Sequence, residues 1–178
     1  QGRDIYLATL ERQDCHTLWR DTEYDWAHPT EPPSIGHSEE GADAWFDEIQ
    51  KAQGQRHLRL GIFANDGAVL GDVALQDIDR ANRCCTLGMG IARLANRGRG
   101  NGQQALALIL DYAFRFLGME RVSASTLAPN TGARRSLEKA GFVLEGTERQ
   151  AVYLDGCRVD RLNYALLREE WTAMRDAS

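Results

Sequence analysis

A glycine-rich turn between an apolar strand and a long apolar helix is the feature that most constrains this chain. Residues 96–102 read Asn-Arg-Gly-Arg-Gly-Asn-Gly and lead into a predicted helix over 103–117. The first turn of a helix has backbone N–H groups without partners and carries about half a positive charge from the peptide dipoles. Glycines let an anion approach those amides, and Arg97 and Arg99 add positive charge. The turn therefore predicts a phosphate-binding site in preference to a purely structural tight turn.

The spacing of the glycines decides which kind of phosphate site this is. A kinase-type P-loop ends in Gly-Lys-Ser/Thr, whereas Gly102 is followed by two glutamines. A dinucleotide-binding turn needs G-x-G-x-x-G and a carboxylate after the following strand, whereas Glu120 precedes that strand. The remaining pattern is R-x-x-G-x-G, with Arg97, Gly100 and Gly102 at its fixed positions.

This pattern resembles the loop that holds the CoA pyrophosphate in the GNAT superfamily of acyl-CoA-dependent N-acetyltransferases. Residues 130–142, Asn-Thr-Gly-Ala-Arg-Arg-Ser-Leu-Glu-Lys-Ala-Gly-Phe, are similar to a second motif of that superfamily, and residues 144–146 with the hairpin signal 153–156 resemble its RimJ/RimL-like branch. The resemblance covers about 5–171 and implies one domain over 1–178 with acetyl-CoA as cosubstrate. It implies CoA contacts at Ile91, Ala92, Arg93, Arg97, Gly98, Arg99, Gly100, Asn101, Gly102, Gln103 and Asn130.

Periodicity predicts the elements around this loop. A strand over 5–10 precedes a helix capped by Asp14, and Ser38 opens a second helix. An antiparallel pair turns at 66–67, and the next strand, 84–92, contains Gly88 and Gly90, which suggest a bulge or a close backbone approach. After the long helix come a strand over 122–126 parallel to 84–92, a helix capped by Asn130, a hairpin over 142–153 and 157–167, and a last helix.

The expected fold class is therefore α/β (α+β). The resemblance implies a GNAT-type mixed, mostly antiparallel central sheet of about seven strands, flanked by about four or five helices. In such a fold a parallel pair of strands splays around the CoA cleft. The exposed edges of the last hairpin could pair subunits, which makes a homodimer an open expectation.

Composition excludes several other classes of protein. The chain has 178 residues and a net charge of −5, which disfavours nucleic-acid binding. Its longest apolar stretch, 105–110, is too short for a membrane span, and without a signal-peptide pattern a cytoplasmic protein is expected. The cysteines and histidines lack the spacing of metal ligands, so reduced thiols and no metal are predicted.

The resemblance places apolar residues where the family carries catalytic groups. Leu87 stands at the position of a glutamate base, Leu137 at that of a tyrosine acid, Ala133 at that of a serine, and Val152 at that of an acidic residue. Two nearby residues are candidate replacements, although a surface serine and a surface glutamate need no special role, and that ordinary interpretation is the stronger one. The two candidates are Ser136 as the acid that protonates the thiolate and Glu148 as the base.

The absence of a glutamate base at position 87 affects which acceptor amine is expected. Deprotonating an amine with a pKa of about 10.4 at pH 7 costs about 4.6 kcal/mol, whereas an α-amine near about 7.8 costs about 1.1 kcal/mol. An N-terminal α-amine or another small cationic amine is therefore the predicted acceptor. A non-catalytic module that binds acyl-CoA to sense or scaffold is the alternative.

An acidic segment supports a cationic acceptor. Residues 21–50 contain nine carboxylates and neither lysine nor arginine. The resemblance implies that this segment walls the acceptor site, so Tyr24, Trp26 and Glu31 are the predicted acceptor-binding residues. A solvated acidic helix face is the other interpretation of the same charges.

Overall fold

A single mixed sheet forms the centre of the molecule. The computed structural model describes residues 2–33 and 38–176. Its strands follow the order β1-β2-β3-β4-β5-β7-β6, and every neighbouring pair is antiparallel except β4 and β5. The strands are β1 Ile5–Thr9, β2 Leu58–Ala64, β3 Val69–Asp79, β4 Cys84–Ile91, β5 Arg121–Leu127, β6 Val143–Leu154 and β7 Cys157–Leu167. The predicted fold class, including the parallel pair, is confirmed.

Five α-helices in the described ranges cover this sheet. They are α1 Arg12–Asp21, α2 Glu39–Ala52, α3 Asn101–Asp111, α4 Thr131–Lys139 and α5 Arg168–Asp176. A short 3₁₀ turn, Leu94–Asn96, precedes α3, and a π-helical turn, Tyr112–Phe116, follows it. In residues 2–33 and 38–176 no helix has the length and apolar character needed to cross a membrane.

The core has two parts because apolar residues alternate along the strands. Ile62 belongs to the larger cluster, where α3 contributes Leu106 and Ile109. Its neighbour Phe63 belongs to the smaller cluster under α1 and α2. Successive side chains of a strand point to opposite faces, so helices are needed on both sides of the sheet.

Several turn and cap predictions are confirmed. Asp155 and Gly156, with φ of 48° and 77°, form the two-residue turn between β6 and β7. Positive φ at both positions is the geometry of a type I′ hairpin turn, which Asp-Gly favours. The Asn130 side chain accepts a hydrogen bond from the Ala133 amide at 3.0 Å and caps α4.

The start of the first helix was predicted wrongly. Glu11 is the N-cap of α1, and the Asp14 carboxylate, one turn inside, accepts a hydrogen bond from the Glu11 amide at 2.9 Å. Asp14 is therefore the third residue of the helix, in a capping box with Glu11, and is not the N-cap itself. Leu18 is buried as predicted, whereas Trp19 is half-buried against Trp45, with ring centroids 5.6 Å apart.

The predicted bulge at Gly88 and Gly90 is also wrong. The pairing of β4 with β3 is regular through both glycines, and the irregularity lies between Gln76 and Asp79 of β3. The alternative, a close backbone approach at these glycines, does not occur either: a Cβ on Gly88 or Gly90 would meet only side-chain atoms of Gln76 or Asp72, at 3.8 and 3.9 Å. The glycine that the backbone requires is Gly71 of β3, whose Cβ would clash with the Gly90 carbonyl oxygen.

The long helix differs from the sequence expectation at both ends. It begins two residues earlier than predicted, at Asn101, and its regular part ends at Asp111 before the π-helical turn. One side of this segment faces solvent, since Tyr112 is 40% and Phe116 is 69% exposed. The two rings stack on each other at 5.8 Å, which reduces the apolar surface they present to water.

Candidate active site

A cavity opens where the two parallel strands separate. β4 pairs with β5 from Cys84 to Leu87 only, and the last matched residue on β5 is Ala124. Beyond that point a cavity of about 730 Å³ lies between the strands. It is lined by the end of β4, the first turn of α3, the end of β5, one face of α4 and part of the segment 25–31. The strand ends, the glycine turn and the acidic segment thus meet at one place.

The glycine turn presents an uncapped helix end to this cavity. Gly98 and Gly100 have φ of 71° and 86°, a left-handed backbone conformation that is unfavourable for residues other than glycine. The first hydrogen bond of α3 is donated by Gln104 to the Gly100 carbonyl at 3.1 Å, and no side chain caps this end. The amides of residues 101–103 are therefore not used by the helix, which leaves them for an anionic ligand.

Arg97 lines the cavity, and part of its guanidinium holds the turn in shape. Its Nε donates to the Ile91 carbonyl at 3.0 Å, and its Nη2 donates to the Glu23 carbonyl at 3.2 Å. The Glu23 carboxylate in turn accepts from the Leu94 amide at 2.7 Å. Arg97 thus fastens the acidic segment to the end of β4, a role that the charge argument from sequence missed.

Most of the predicted CoA-contact residues line the cavity. These are Ile91, Arg97, Gly98, Gly100, Gly102, Gln103 and Asn130. The others, Ala92, Arg93, Arg99 and Asn101, are not among the lining residues. Arg93 binds the Asp21 carboxylate at 2.7 Å. The Ala92 amide donates to the Leu70 carbonyl at 2.9 Å, and the Ala92 carbonyl accepts from the Glu23 amide at 3.0 Å. Together with the guanidinium of Arg20, Arg93 holds the pKa of Asp21 below its ordinary value.

Three of the four apolar replacements predicted at the catalytic positions are in the cavity wall. Leu87, Ala133 and Leu137 all line it, and Ser136 lies beside them on α4. Two further hydroxyl groups, those of Ser125 and Thr126 at the end of β5, also line it. Sequence analysis missed these two, although their place at the end of the strand parallel to β4 could have indicated them.

Glu148 and Val152 lie outside the residues that line the cavity. The Glu148 carboxylate accepts from Asn163 Nδ2 at 2.8 Å and pairs with Arg161 at 3.2 Å. Asn163 is the register partner of Ser125, so Glu148 is two strands away from β5 on the same sheet.

The acidic segment forms one wall of the cavity. Asp25, His28, Thr30 and Glu31 line it, whereas Tyr24 and Trp26 do not. These two rings pack edge to face at 4.5 Å, and Trp26 is 72% exposed. Burial raises the pKa of Tyr24, and the nearby carboxylates of Asp155, Glu31 and Asp25 add to the increase. The predicted aromatic and acidic residues are therefore neighbours, and Glu31 is the one that lines the cavity.

A metal site is not evident in the ranges 2–33 and 38–176. No group of three or more histidine, cysteine or carboxylate side chains in these ranges is placed to hold a metal ion.

Comparisons with known proteins agree with this geometry. Residues 4–143 match the family model described as the acetyltransferase (GNAT) domain. The chain is 33% identical over 106 residues to YdaF of Bacillus subtilis (strain 168), provisionally named a ribosomal N-acetyltransferase, and this match covers 60% of the chain but only 57% of YdaF. It is 33% identical over 123 residues to the probable N-acetyltransferase YjcK of the same organism, covering 68% of the chain and 67% of YjcK.

Among solved structures, the fold superposes on Mycobacterium smegmatis RimJ in complex with CoA-disulfide. The TM-score is 0.81 at 25% identity, covering 93% of this chain and 83% of RimJ. The resemblance to the RimJ/RimL-like branch is thereby confirmed. A family model that matches most of the chain, with the characteristic loop and splayed strands in place, leads to one conclusion: the chain belongs to the GNAT acetyltransferase family.

Proposed function

We propose that this protein transfers an acetyl group from acetyl-CoA to a primary amine. The observation that carries the proposal is the uncapped first turn of α3, reached through Gly98 and Gly100, at the mouth of the cavity between β4 and β5. A diphosphate bound there would direct the pantetheine arm into the gap between the strands. The CoA-disulfide complex of RimJ, a protein with the same fold, supports the choice of ligand.

The end of β4 offers main-chain groups to the thioester. β4 pairs with β3 on one edge up to Ile91, but its pairing with β5 stops at Leu87. Every second amide beyond Leu87 therefore faces the gap without a strand partner. Such an amide can donate to the oxygen that becomes negative when the amine attacks the carbonyl carbon, which lowers the barrier to transfer.

The proton that the CoA thiolate needs would come from the α4 wall of the cavity. We assign it to Ser136, since Leu137, at the position of the family tyrosine, and Ala133 carry no proton to donate. Glu148 remains a proposed base, but it lies two strands from the cavity wall. It would therefore take the proton of the attacking amine through intervening water.

The acceptor we propose is an N-terminal α-amine or another small cationic amine. Asp25 and Glu31 give the 25–31 side of the cavity negative charge, which attracts a cation, whereas the basic lining residues Arg97, Arg135 and Lys139 belong to the glycine turn and α4. Without a carboxylate on β4, the enzyme favours an amine that is largely neutral at pH 7, and an α-amine costs about 3.5 kcal/mol less to deprotonate than a lysine side chain. The ribosomal N-acetyltransferase name of YdaF is consistent with such an acceptor.

Release of free CoA thiol from acetyl-CoA tests both parts of the proposal. The acceptors are a peptide with a free α-amine, the same peptide blocked at its N-terminus but carrying a lysine, and spermine. We expect the α-amine peptide to react fastest and its rate to fall with added salt. Turnover of spermine or the blocked peptide at least as fast would overturn the acceptor assignment.

The same assay separates an enzyme from a CoA-binding module. The apolar residues Leu87, Ala133 and Leu137 in the cavity wall favour the module. CoA binding without thiol release for any amine would establish it and overturn the enzyme proposal.

A serine variant tests the proposed acid. Ser136→Ala should lower kcat while the affinity for CoA stays unchanged, because the phosphate contacts lie on α3. Ser123→Ala is the matched control, since that hydroxyl donates to the Cys85 carbonyl at 3.2 Å and does not line the cavity. Equal kcat for the Ser136 variant and the wild type would remove Ser136 from the mechanism.

A further inference from the structure

A second cavity lies at the opposite ends of β4 and α3, the two elements that flank the glycine turn. It has a volume of about 590 Å³ and includes Arg80, Arg83, Arg115 and Arg168 in its wall, four residues that we call the basic cleft. Arg80 and Arg83 belong to the turn that leads into β4, Arg115 follows α3, and Arg168 begins α5. The glycine turn lies at the other end of β4 and α3, so the two cavities are separate.

The basic cleft carries an excess of positive charge. Glu120 is the one carboxylate among its lining residues, and it is shared by two arginines. Its Oε1 lies 3.1 Å from Arg168 Nε and 3.4 Å from Arg83 Nη1. Arg80 pairs with no carboxylate in residues 2–33 and 38–176. Asp111, which is not a lining residue, pairs with Arg115, so four guanidinium groups against two carboxylates leave an excess of about two charges on a chain whose net charge is −5.

Stabilisation of a helix end explains only part of this arrangement. Cations near a helix C-terminus interact favourably with its dipole and free carbonyl groups. Arg168 does so, since its Nη2 donates to the Phe114 carbonyl at 2.5 Å, and Arg115 pairs with Asp111 at 3.4 Å. Arg80 and Arg83 belong to another element, and the Arg83 side chain is 64% exposed. Arg80 therefore remains available to a ligand, and the exposed Arg83 can also reach one, since its contact with Glu120 is long, at 3.4 Å.

We propose that the basic cleft binds a small phosphate-bearing anion. A guanidinium group can donate two parallel hydrogen bonds to the oxygens of one phosphate, and the opposite charges strengthen both bonds. A phosphate monoester or a diphosphate brings about two negative charges or more, enough to balance the excess, whereas a monocarboxylate brings one. The volume suits a small molecule, and the acidic surface of the rest of the chain opposes a long polyanion.

Calorimetric titration with inorganic pyrophosphate tests the proposal, using protein that already carries one equivalent of CoA. The test variant is Arg80→Gln/Arg83→Gln. The matched control is Arg149→Gln/Arg158→Gln, which removes the same charge from exposed positions of the β6–β7 hairpin that line neither cavity. We expect the test variant to bind pyrophosphate at least about tenfold more weakly, since the loss of one charge-assisted hydrogen bond is worth about that factor. The control should bind like the wild type.

Three results would overturn the proposal. They are equal pyrophosphate affinity in the wild type and the test variant, no binding by the CoA-loaded wild type, and tighter binding of citrate than of pyrophosphate at the same ionic strength. CoA affinity is measured on each variant as well. If it is unchanged, the variants are folded and the glycine turn is intact, so failure at the basic cleft would leave the proposed acetyl transfer standing.

Discussion

Two glycines of the glycine turn, Gly100 and Gly102, should differ in their effect on stability when replaced by alanine. Gly100 has a φ of 86°, and nothing lies within 4 Å of a Cβ built there, so the cost of Gly100→Ala is backbone strain alone. That strain is about 1–2 kcal/mol, or roughly 2–8 °C in Tm for a chain of this size. Gly102 has helical backbone geometry, and its Cβ would meet the flexible end of Met89 at 3.2 Å. Gly102→Ala should therefore leave Tm unchanged or slightly higher, since alanine favours helix.

The affinity for CoA should separate the two variants from a control. Gly102 and Met89 both line the cavity, so a methyl group at Gly102 would stand where a phosphate approaches the amides of α3. Loss of one charge-assisted hydrogen bond there would raise the Kd for CoA about tenfold or more. Gly67→Ala is the control for strain, because Gly67 has a φ of 91° with open space around its Cβ and lies outside the cavity.

Thermal unfolding and calorimetric titration with CoA measure the two effects. We expect Gly67→Ala and Gly100→Ala to lose similar stability, and only the loop variants, Gly100→Ala and Gly102→Ala, to lose affinity. Wild-type affinity in Gly102→Ala would refute the placement of the diphosphate at the first turn of α3. Weakened CoA binding in Gly67→Ala would show that global stability, not loop geometry, controls the affinity.

Two further predictions concern buried groups outside the cavity. Burial raises the pKa of Cys15 and Cys85 to about 12 from an ordinary 9.0. At pH 8, iodoacetamide should therefore label the exposed Cys157 long before either of them, as followed by mass spectrometry. The free energy of unfolding should also fall as the pH rises above about 9, because the thiols lose their protons first in the unfolded chain. Labelling of all three at one rate would contradict this. Asp72 forms a largely buried ion pair with Arg59, so Asp72→Ala should lower the free energy of unfolding by about 3 kcal/mol in urea, and the double variant Arg59→Met/Asp72→Leu should recover most of it. An Asp72→Ala variant as stable as the wild type would contradict the assignment of a buried ion pair.

The sequence predicted the parts of this protein whose chemistry is local. Asn130 caps α4 and Asp155-Gly156 turns the last hairpin, because each depends on a few adjacent residues. The glycine turn belongs with them, since positive φ at Gly98 and Gly100 and the free amides of a helix start follow from residue order alone. Prediction was weaker at element ends, where Glu11 instead of Asp14 caps α1. Both acidic residues take part in the same reciprocal capping arrangement, and the helix begins after the earlier one.

Contacts between distant segments were decided only by the tertiary structure. Arg97 bonds to the Ile91 and Glu23 carbonyls, and Ser125 and Thr126 reach the cavity because β5 diverges from β4 after Leu87. The basic cleft likewise collects arginines from three separate elements. The sequence by itself determined a glycine turn with free helix amides and the pattern of strands and helices, since these follow from periodicity and backbone freedom. Which side chains share a cavity depends on where strands part and how helices pack, and no local pattern encodes those distances.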